Sequence, residues 1–458
     1  MSSSTTTNPL LLNDWLPHFS AIQPADIEPA VRQILGENRA TLNDLLKKGG
    51  PYTWDNLLGP LEELSDRLSA AWSPVAHLHG VRQSDALRDA YNACLPLLTE
   101  YSLFVMQNEP LYQAVAALAQ STLFGQLELA QQKAIEYELR DFRLCGVHLS
   151  ADKKTQFLDL EKKISQLTSK FSENVLDATQ GWYLSISDPR QLKGLPDFAL
   201  EMAAQNAQTR KLKGSILTLD APSYSASMKF LDDRQLREQL YEAFCTRASD
   251  QGPNAGKWDN MPVMEELLHC RYALAGLLDF PTYADFSLAT KMAKEPETVM
   301  TFLNELLNKA RPFAEKDMAE LKAFAVAQGG PSELAPWDLA YYGEKLRQSK
   351  FNFSEQDIKP YFPIAKVLQG LFKLVNTLYG LKIKESAPVE TWHPDVQFFE
   401  IFDDHDQFRG AFYIDLFARL NKREGAWMDD CRNRRRFAGW QHSTSRGLFN
   451  LQLHAAPG

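Results

Sequence analysis

The sequence predicts a mainly α-helical fold with a small β-hairpin region. Three observations carry this expectation. Apolar residues recur at three- and four-residue intervals along most of the 458-residue chain, the spacing of a helix that buries one face. Strand-like alternation is confined to a few short runs. Pro and Gly cluster briefly, around residues 194–196, 329–331 and 359–363, and read as loops rather than long linkers.

Taken in order, the first helical patterns cover residues 24–46 and 54–72, the second carrying Leu57, Leu61, Leu64 and Leu68. Residues 126–145 follow, with Leu129, Ile135, Leu139 and Phe142 on one face. The clearest pattern runs over 151–179, where Leu160, Ile164, Leu167, Phe171 and Val175 form a single stripe. The N-terminal region therefore reads as an antiparallel helical assembly. Short strands are expected at WYLSI from Trp182 and SILTL from Ser215. A hairpin is expected where 396–402 and 408–417 flank the turn-forming Asp404, His405 and Asp406. No repeat of 20 to 50 residues is evident.

Composition bounds the function. With 44% hydrophobic and 23% charged residues, a net charge of −9 gives no reason to expect nucleic-acid binding. No run approaches the roughly 18 consecutive apolar residues of a membrane span, and the start, MSSSTTTNPLLLNDW, lacks the basic and apolar segments of a signal peptide. The expected compartment is the cytoplasm. Five scattered cysteines, Cys94, Cys145, Cys245, Cys270 and Cys431, argue for reduced thiols rather than a disulfide framework.

Few residue groups offer independent chemistry. There is no G-x-S-x-G elbow and no phosphate-cradling glycine loop. The metal candidates are His77 with His79, Cys145 with His148, and Glu266 with His269; Glu390 with His393 repeats the last spacing but lies between Pro388 and Pro394, poor ground for a helix. Each pair lacks the further ligands that a structural zinc or di-iron site requires, so packing and capping explain them better.

Five stretches carry a family resemblance: LPHFSAIQPADIEPAV, YEAFCTRASDQGPNAGKWDN, FPTYADFSLATKMA, PWDLAYYGEK and FYIDLFARLNKREGAWMDDC. Together, from about Asn8 to Ala438, the chain resembles the thimet oligopeptidase family of zinc metallopeptidases. The resemblance implies a helical oligopeptidase architecture, a cleft that takes short peptides, including cleaved signal peptides, and one zinc held by the two histidines of an H-E-x-x-H helix and a further glutamate. Histidines at i and i+4 share a helix face, and the adjacent Glu can act as base on a zinc-bound water. That motif should follow AWMDDC by a few dozen residues. It is absent: His18, His77, His79, His148, His269, His393, His405, His442 and His454 are all the histidines, and none is followed by Glu. Zinc is thus expected in the intact family member and not in this chain, whose catalytic region is read as incomplete and inactive alone.

From Gly439 onward neither apolar periodicity nor family likeness is evident. Back-translating that tail and dropping one base yields Pro-Val-Ala-Tyr-Leu-Thr, which resembles the strand ahead of the family's zinc helix, so a change of reading frame is expected there. The organisation read from the chain is a helical domain over 1–150, a long helix and connection over 151–220, an incomplete catalytic region over 221–438 and an aberrant tail over 439–458. Arg247, Trp258, Trp337, Tyr341 and Tyr342 are the candidates for peptide contact, because Arg can pair with a carboxylate and aromatic faces pack on side chains. The hairpin over 396–417 is expected to expose a strand edge that invites self-association or chaperone binding. The alternative to a peptidase is a non-catalytic helical scaffold that binds peptides or a partner.

Overall fold

The computed structural model describes residues 8–12, 14–386, 389–433 and 447–455. Helices α1 (Pro24–Lys48), α2 (Gly59–Val81), α3 (Asp85–Met106), α4 (Glu109–Gln120), α5 (Leu129–Leu144) and α6 (Ala151–Gln180) come first. Strand β1 (Tyr183–Ile186), α7 (Asp197–Thr209) and β2 (Ser215–Thr218) follow. Next are α8 (Ala221–Phe230), α9 (Arg234–Cys245), α10 (Met261–Leu277), α11 (Tyr283–Leu288), α12 (Pro296–Ala327), α13 (Pro336–Phe351), α14 (Glu355–Ile358) and α15 (Ile364–Tyr379). Strands β3 (Lys382–Glu385), β4 (Gln397–Phe402), β5 (Phe408–Phe417), β6 (Trp427–Arg432) and β7 (Gly447–Ala455) close the order. The mainly helical expectation holds, and the chain divides into two compact units.

The first unit comprises Met1–Ser169, Leu267–Phe286 and Val375–His454. Its helices start where polar side chains accept otherwise unpaired backbone N–H groups. The Asp26 carboxylate accepts from the Gln23 N–H at 2.9 Å ahead of α1. Asn108 Oδ1 accepts from the Leu111 N–H at 3.0 Å ahead of α4. Three apolar clusters result. Ile27, Val31 and Ile34 of α1 pack with Val75 and Leu78 of α2, with Trp392 and with Tyr413 of β5. Leu42, Leu57, Leu111, Leu118, Ile135 and Phe142 form another, and Leu103, Phe157 and Leu274 a third, each buried side chain contributing roughly 1.5–3 kcal/mol over its exposed state.

The sheet of this unit has the order β3-β4-β5-β7-β6. The expected hairpin is present, with Phe398 opposite Tyr413 and Phe399 opposite Phe412. Asp403 shapes its turn by accepting the His405 N–H at 3.0 Å and the Gln407 N–H at 2.8 Å. The open edge expected beyond β5 is not found, because β7 is the neighbour of β5 on that side. The reason lies in a pattern missed in the tail: Phe449, Leu451 and Leu453 alternate with Asn450, Gln452 and His454, the period of a strand. The junction at Gly439 lies outside the described residues.

The second unit comprises Lys170–Glu266, Ser287–Leu374 and Ala455–Gly458. Both short strands expected here form and pair antiparallel, Tyr183 opposite Thr218 and Ile186 opposite Ser215. Leu192, Ala203, Leu217, Leu231, Leu240 and Ala243 build its core with α7, α8 and α9. Helix α13 packs on α8 and α9, carrying the PWDLAYYGEK segment.

Candidate functional site

Trp337, Tyr341 and Tyr342 sit together on α13, around a buried ion pair. Arg237 of α9 donates from Nη2 to Asp338 Oδ1 at 3.1 Å, and both side chains are buried. The rest of the guanidinium is spent on backbone carbonyls, Leu231 O at 2.7 Å, Asp232 O at 3.2 Å and Trp337 O at 3.1 Å. Asp338 also accepts from Arg234 Nη2 at 2.8 Å and from the Ala335 N–H at 3.0 Å. Burial alone would push the Asp338 carboxyl up; these donors outweigh it and hold it below the ordinary carboxylate range.

The aromatic residues are fixed by this pair. Tyr341 lies with its ring 4.0 Å from the Arg237 guanidinium and donates its hydroxyl to Asp232 Oδ1 at 2.8 Å. Burial, then the Asp232 carboxylate, pushes that phenol well above its usual value. Tyr342 meets it edge-on at 5.2 Å and rests on Gly330, where an added Cβ would come within 2.2 Å of the Tyr342 hydroxyl. Trp337 is half-buried, and its indole N–H has no hydrogen-bond partner among the described residues. Arg247 and Trp258 lie elsewhere in the same unit. Arg247 covers Phe244 at 3.7 Å and donates to Phe244 O at 2.9 Å and Thr179 Oγ1 at 3.2 Å. Trp258 stands at a left-handed φ of +126° with its ring against Gly181. The five candidates therefore fall in one unit, three of them on one helix.

The metal candidates have other occupations. His77 is buried, 4.2 Å from Trp392 and 3.4 Å from Asp429 Oδ2; burial pushes its imidazole below the ordinary value against the pull of Asp429. His79 stacks on Tyr91 at 4.0 Å. His148 meets Tyr112 edge-on at 4.8 Å, and burial pushes the Cys145 thiol up to about 12. Glu266 and His269 are exposed on α10. Glu390 accepts from Ser20 at 2.9 Å, while His393 accepts from the Asp395 N–H at 3.3 Å. Among the described residues no three His, Cys, Asp or Glu side chains gather to hold a metal ion. None of these described pairs supplies the three protein ligands that a zinc site takes.

One constellation was invisible to motif reasoning. Asp415, in the middle of the apolar β5, accepts from Trp392 Nε1 at 2.8 Å, Arg419 Nη2 at 2.6 Å and Lys422 Nζ at 2.9 Å. Lys422 also donates to the carbonyls of Asp415 and Phe417 at 3.0 and 2.8 Å. Burial would raise the Asp415 carboxyl, yet the three donors pull it to about 2. The signal that could have found it is a lone carboxylate in an apolar strand run followed by two cations, since a buried charge must be paired. This arrangement locks the segment after β5 to the sheet and presents no reacting group.

The class that the structure defines is a mainly helical chain of two units with two small sheets. Residues 227–455 match peptidase family M3, and residues 31–154 match the neurolysin/thimet oligopeptidase N-terminal domain; the chain belongs to peptidase family M3. It is 48% identical to the oligopeptidase A of Salmonella typhimurium and to that of Escherichia coli, in each case over 93% of this chain and 62% of the relative. It is 30% identical to the dipeptidyl carboxypeptidase of Escherichia coli, over 93% of this chain and 63% of that protein. The chain thus spans less than two thirds of the length of these curated relatives. In fold it is similar to a protein assigned as an oligoendopeptidase F from Bacillus anthracis, with a TM-score of 0.51 at 13% identity over 92% of this chain and 61% of that one. Among the described residues no helix is long and apolar enough to cross a membrane.

Proposed function

We propose that this chain forms the larger, peptide-binding part of a zinc metalloendopeptidase fold that acts on short peptides in the cytoplasm, cleaved signal peptides among them, and that alone it binds peptides without cleaving them. The observation that carries this reading is a pair of facts about one sequence. Its likeness to oligopeptidase A runs over nearly the whole chain, yet none of its nine histidines is followed by Glu.

Peptide contact is assigned to Arg247, Trp258 and Trp337, each half-buried in the same unit. The guanidinium can pair with a peptide carboxylate and the indoles can cover apolar side chains. Tyr341 and Tyr342, buried and committed to Asp232, Arg237 and Gly330, hold α13 in place beneath Trp337. The test is fluorescence anisotropy of labelled short peptides with the purified chain, with mass spectrometry of the peptides afterwards. Saturable binding, weakened by Arg247→Ala in a variant that keeps its circular dichroism, with peptides recovered intact, is expected. Absence of binding, or cleavage that a chelator stops, contradicts the reading.

A further inference from the structure

The first unit holds an open cavity of about 820 Å³ between α1, α3 and the start of α6, within the size range of small-molecule sites. Its floor is apolar: Leu46, Leu103, Phe104 and Leu158 line it, Leu103 buried and the other three half-buried. The charged groups around that floor are mostly basic. Arg39, Lys47 and Lys154 stand against one carboxylate, Glu100. Partners outside the cavity leave this excess of positive charge as it is, because Lys162 bonds Glu100 at 3.2 Å while Asp44 bonds Lys47 at 3.1 Å. A chain of net charge −9 thus gathers cations at one concave, apolar-floored place, which favours an anion there.

The two ends of the cavity differ in what they have left to give. Glu100 is held by Arg39 at 3.3 Å as well as by Lys162, and the Arg39 guanidinium lies over the Phe104 ring at 4.3 Å, so that end is closed by its own contacts. From Arg39 to Lys47 helix α1 rises about 12 Å, and at this far end Lys47 is exposed. Lys154 spends one of its ammonium donors on Gln107 O at 3.0 Å. Gln107 gives Nε2 to Cys145 O at 2.8 Å, and Asn108 accepts the Leu111 N–H on Oδ1 at 3.0 Å. That leaves the Gln107 side-chain carbonyl and the Asn108 amino group to pair with an amide.

We propose that this cavity binds a small N-acylated apolar amino acid, its carboxylate against Lys47 and Lys154, its amide against Gln107 and Asn108, and its side chain on Leu103, Phe104 and Leu158. The carboxylate answers the cationic excess and gains charge-assisted hydrogen bonds. A free amino group would set a further positive charge beside two lysines, so the nitrogen is acylated. All the lining residues belong to the first unit, whereas Arg247, Trp258 and Trp337 belong to the second; this site stands without the peptidase reading.

Calorimetric titration of the purified chain with N-acetyl-L-phenylalanine tests it. One saturable site is expected, weakened by added salt and at least tenfold weaker for N-acetyl-L-phenylalaninamide, which lacks the carboxylate. Lys154→Met should weaken binding at least fivefold, as should Asn43→Asp at an exposed position of the rim, in variants that keep their circular dichroism. Lys153→Met, exposed on α6 outside the lining, should leave it unchanged. Absence of binding, or equal affinity for the amide, overturns the proposal, as does binding that is lost in Arg247→Ala and kept in Lys154→Met. A blocked tripeptide ending in phenylalanine that binds tenfold more tightly, and loses that affinity in Lys154→Met, overturns the small-ligand assignment in favour of a peptide end.

Discussion

Lys422 Nζ lies 2.9 Å from Asp415 Oδ1, with both side chains buried. A pair of this kind gives up its hydration on both sides, so its contribution depends on every remaining donor and acceptor being used. Here they are: Arg419, Trp392 and two backbone carbonyls complete the set.

Removing one partner should therefore cost far more than removing a surface ion pair. Asp415→Ala leaves Lys422 charged and uncompensated in the interior, and a loss of about 3–5 kcal/mol is expected. Lys422→Met, which removes the buried cation while Arg419 still neutralises Asp415, should cost less. Urea unfolding of the two variants checks the order; losses near zero would show that the pair carries no weight, and equal large losses that Arg419 does not compensate Asp415.

Acid stability follows from the same carboxylate. Asp415 has a folded pKa of about 2 against an unfolded value of 3.8, so its contribution is present above 3.8 and is lost as pH falls from there towards 2. A shift of that size corresponds to on the order of 2 kcal/mol. Asp338, also held below 3.8 by its arginines against burial, acts in the same direction as pH falls below 3.8. Unfolding free energies measured from pH 5 to pH 2.5 should fall steeply, and less steeply in Asp415→Asn.

His77 sets a second window nearer neutrality. Burial lowers its folded pKa below 6.5 despite Asp429 and Asp415 nearby, with Lys422 adding to the depression. The contribution of a neutral buried imidazole is full above 6.5 and is lost as pH falls below it. His18, raised by its hydrogen bond to Asp14, works in the opposite sense, so the comparison must be with His77→Phe. That variant should flatten the decline between pH 7 and 5, its ring sitting among Phe19 and Trp392. An unchanged slope would mean that His77 does not titrate on unfolding.

The position of Trp258 can be probed through its neighbour. A Cβ at Gly181 would lie 2.2 Å from the Trp258 ring and 2.8 Å from the Asp177 carbonyl. Gly181→Ala should cost about 1–3 kcal/mol as the ring or backbone shifts, with a change in tryptophan fluorescence. Loss of stability without a spectral change would argue that Trp258 is not displaced.

The helical fold was legible because its stripes are local: Leu160, Ile164, Leu167 and Phe171 announce α6 without reference to any distant residue. The β4–β5 hairpin was legible for the same reason, its turn written in residues 403–407. What the sequence hid is non-local. Nothing in the spacing of Arg237 and Asp338, or of Trp392 and Asp415, says that they meet, since each pairing is decided by how whole elements pack. The strand at 447–455 is a weak local signal, since the alternation of Phe449, Leu451 and Leu453 with polar residues is short and carries no helical period. The aromatic candidates on α13 were recognised by type, but their burial around Arg237 depends on α9 and could be read only from the fold.

The most direct measurement is zinc binding by the purified chain, titrated in competition with a chromophoric chelator. The expected result is that the chelator retains the metal and no stoichiometric site appears, because no histidine pair of the required spacing exists in the sequence. One zinc per chain held against the chelator would contradict the claim that this chain lacks the metal site of its family.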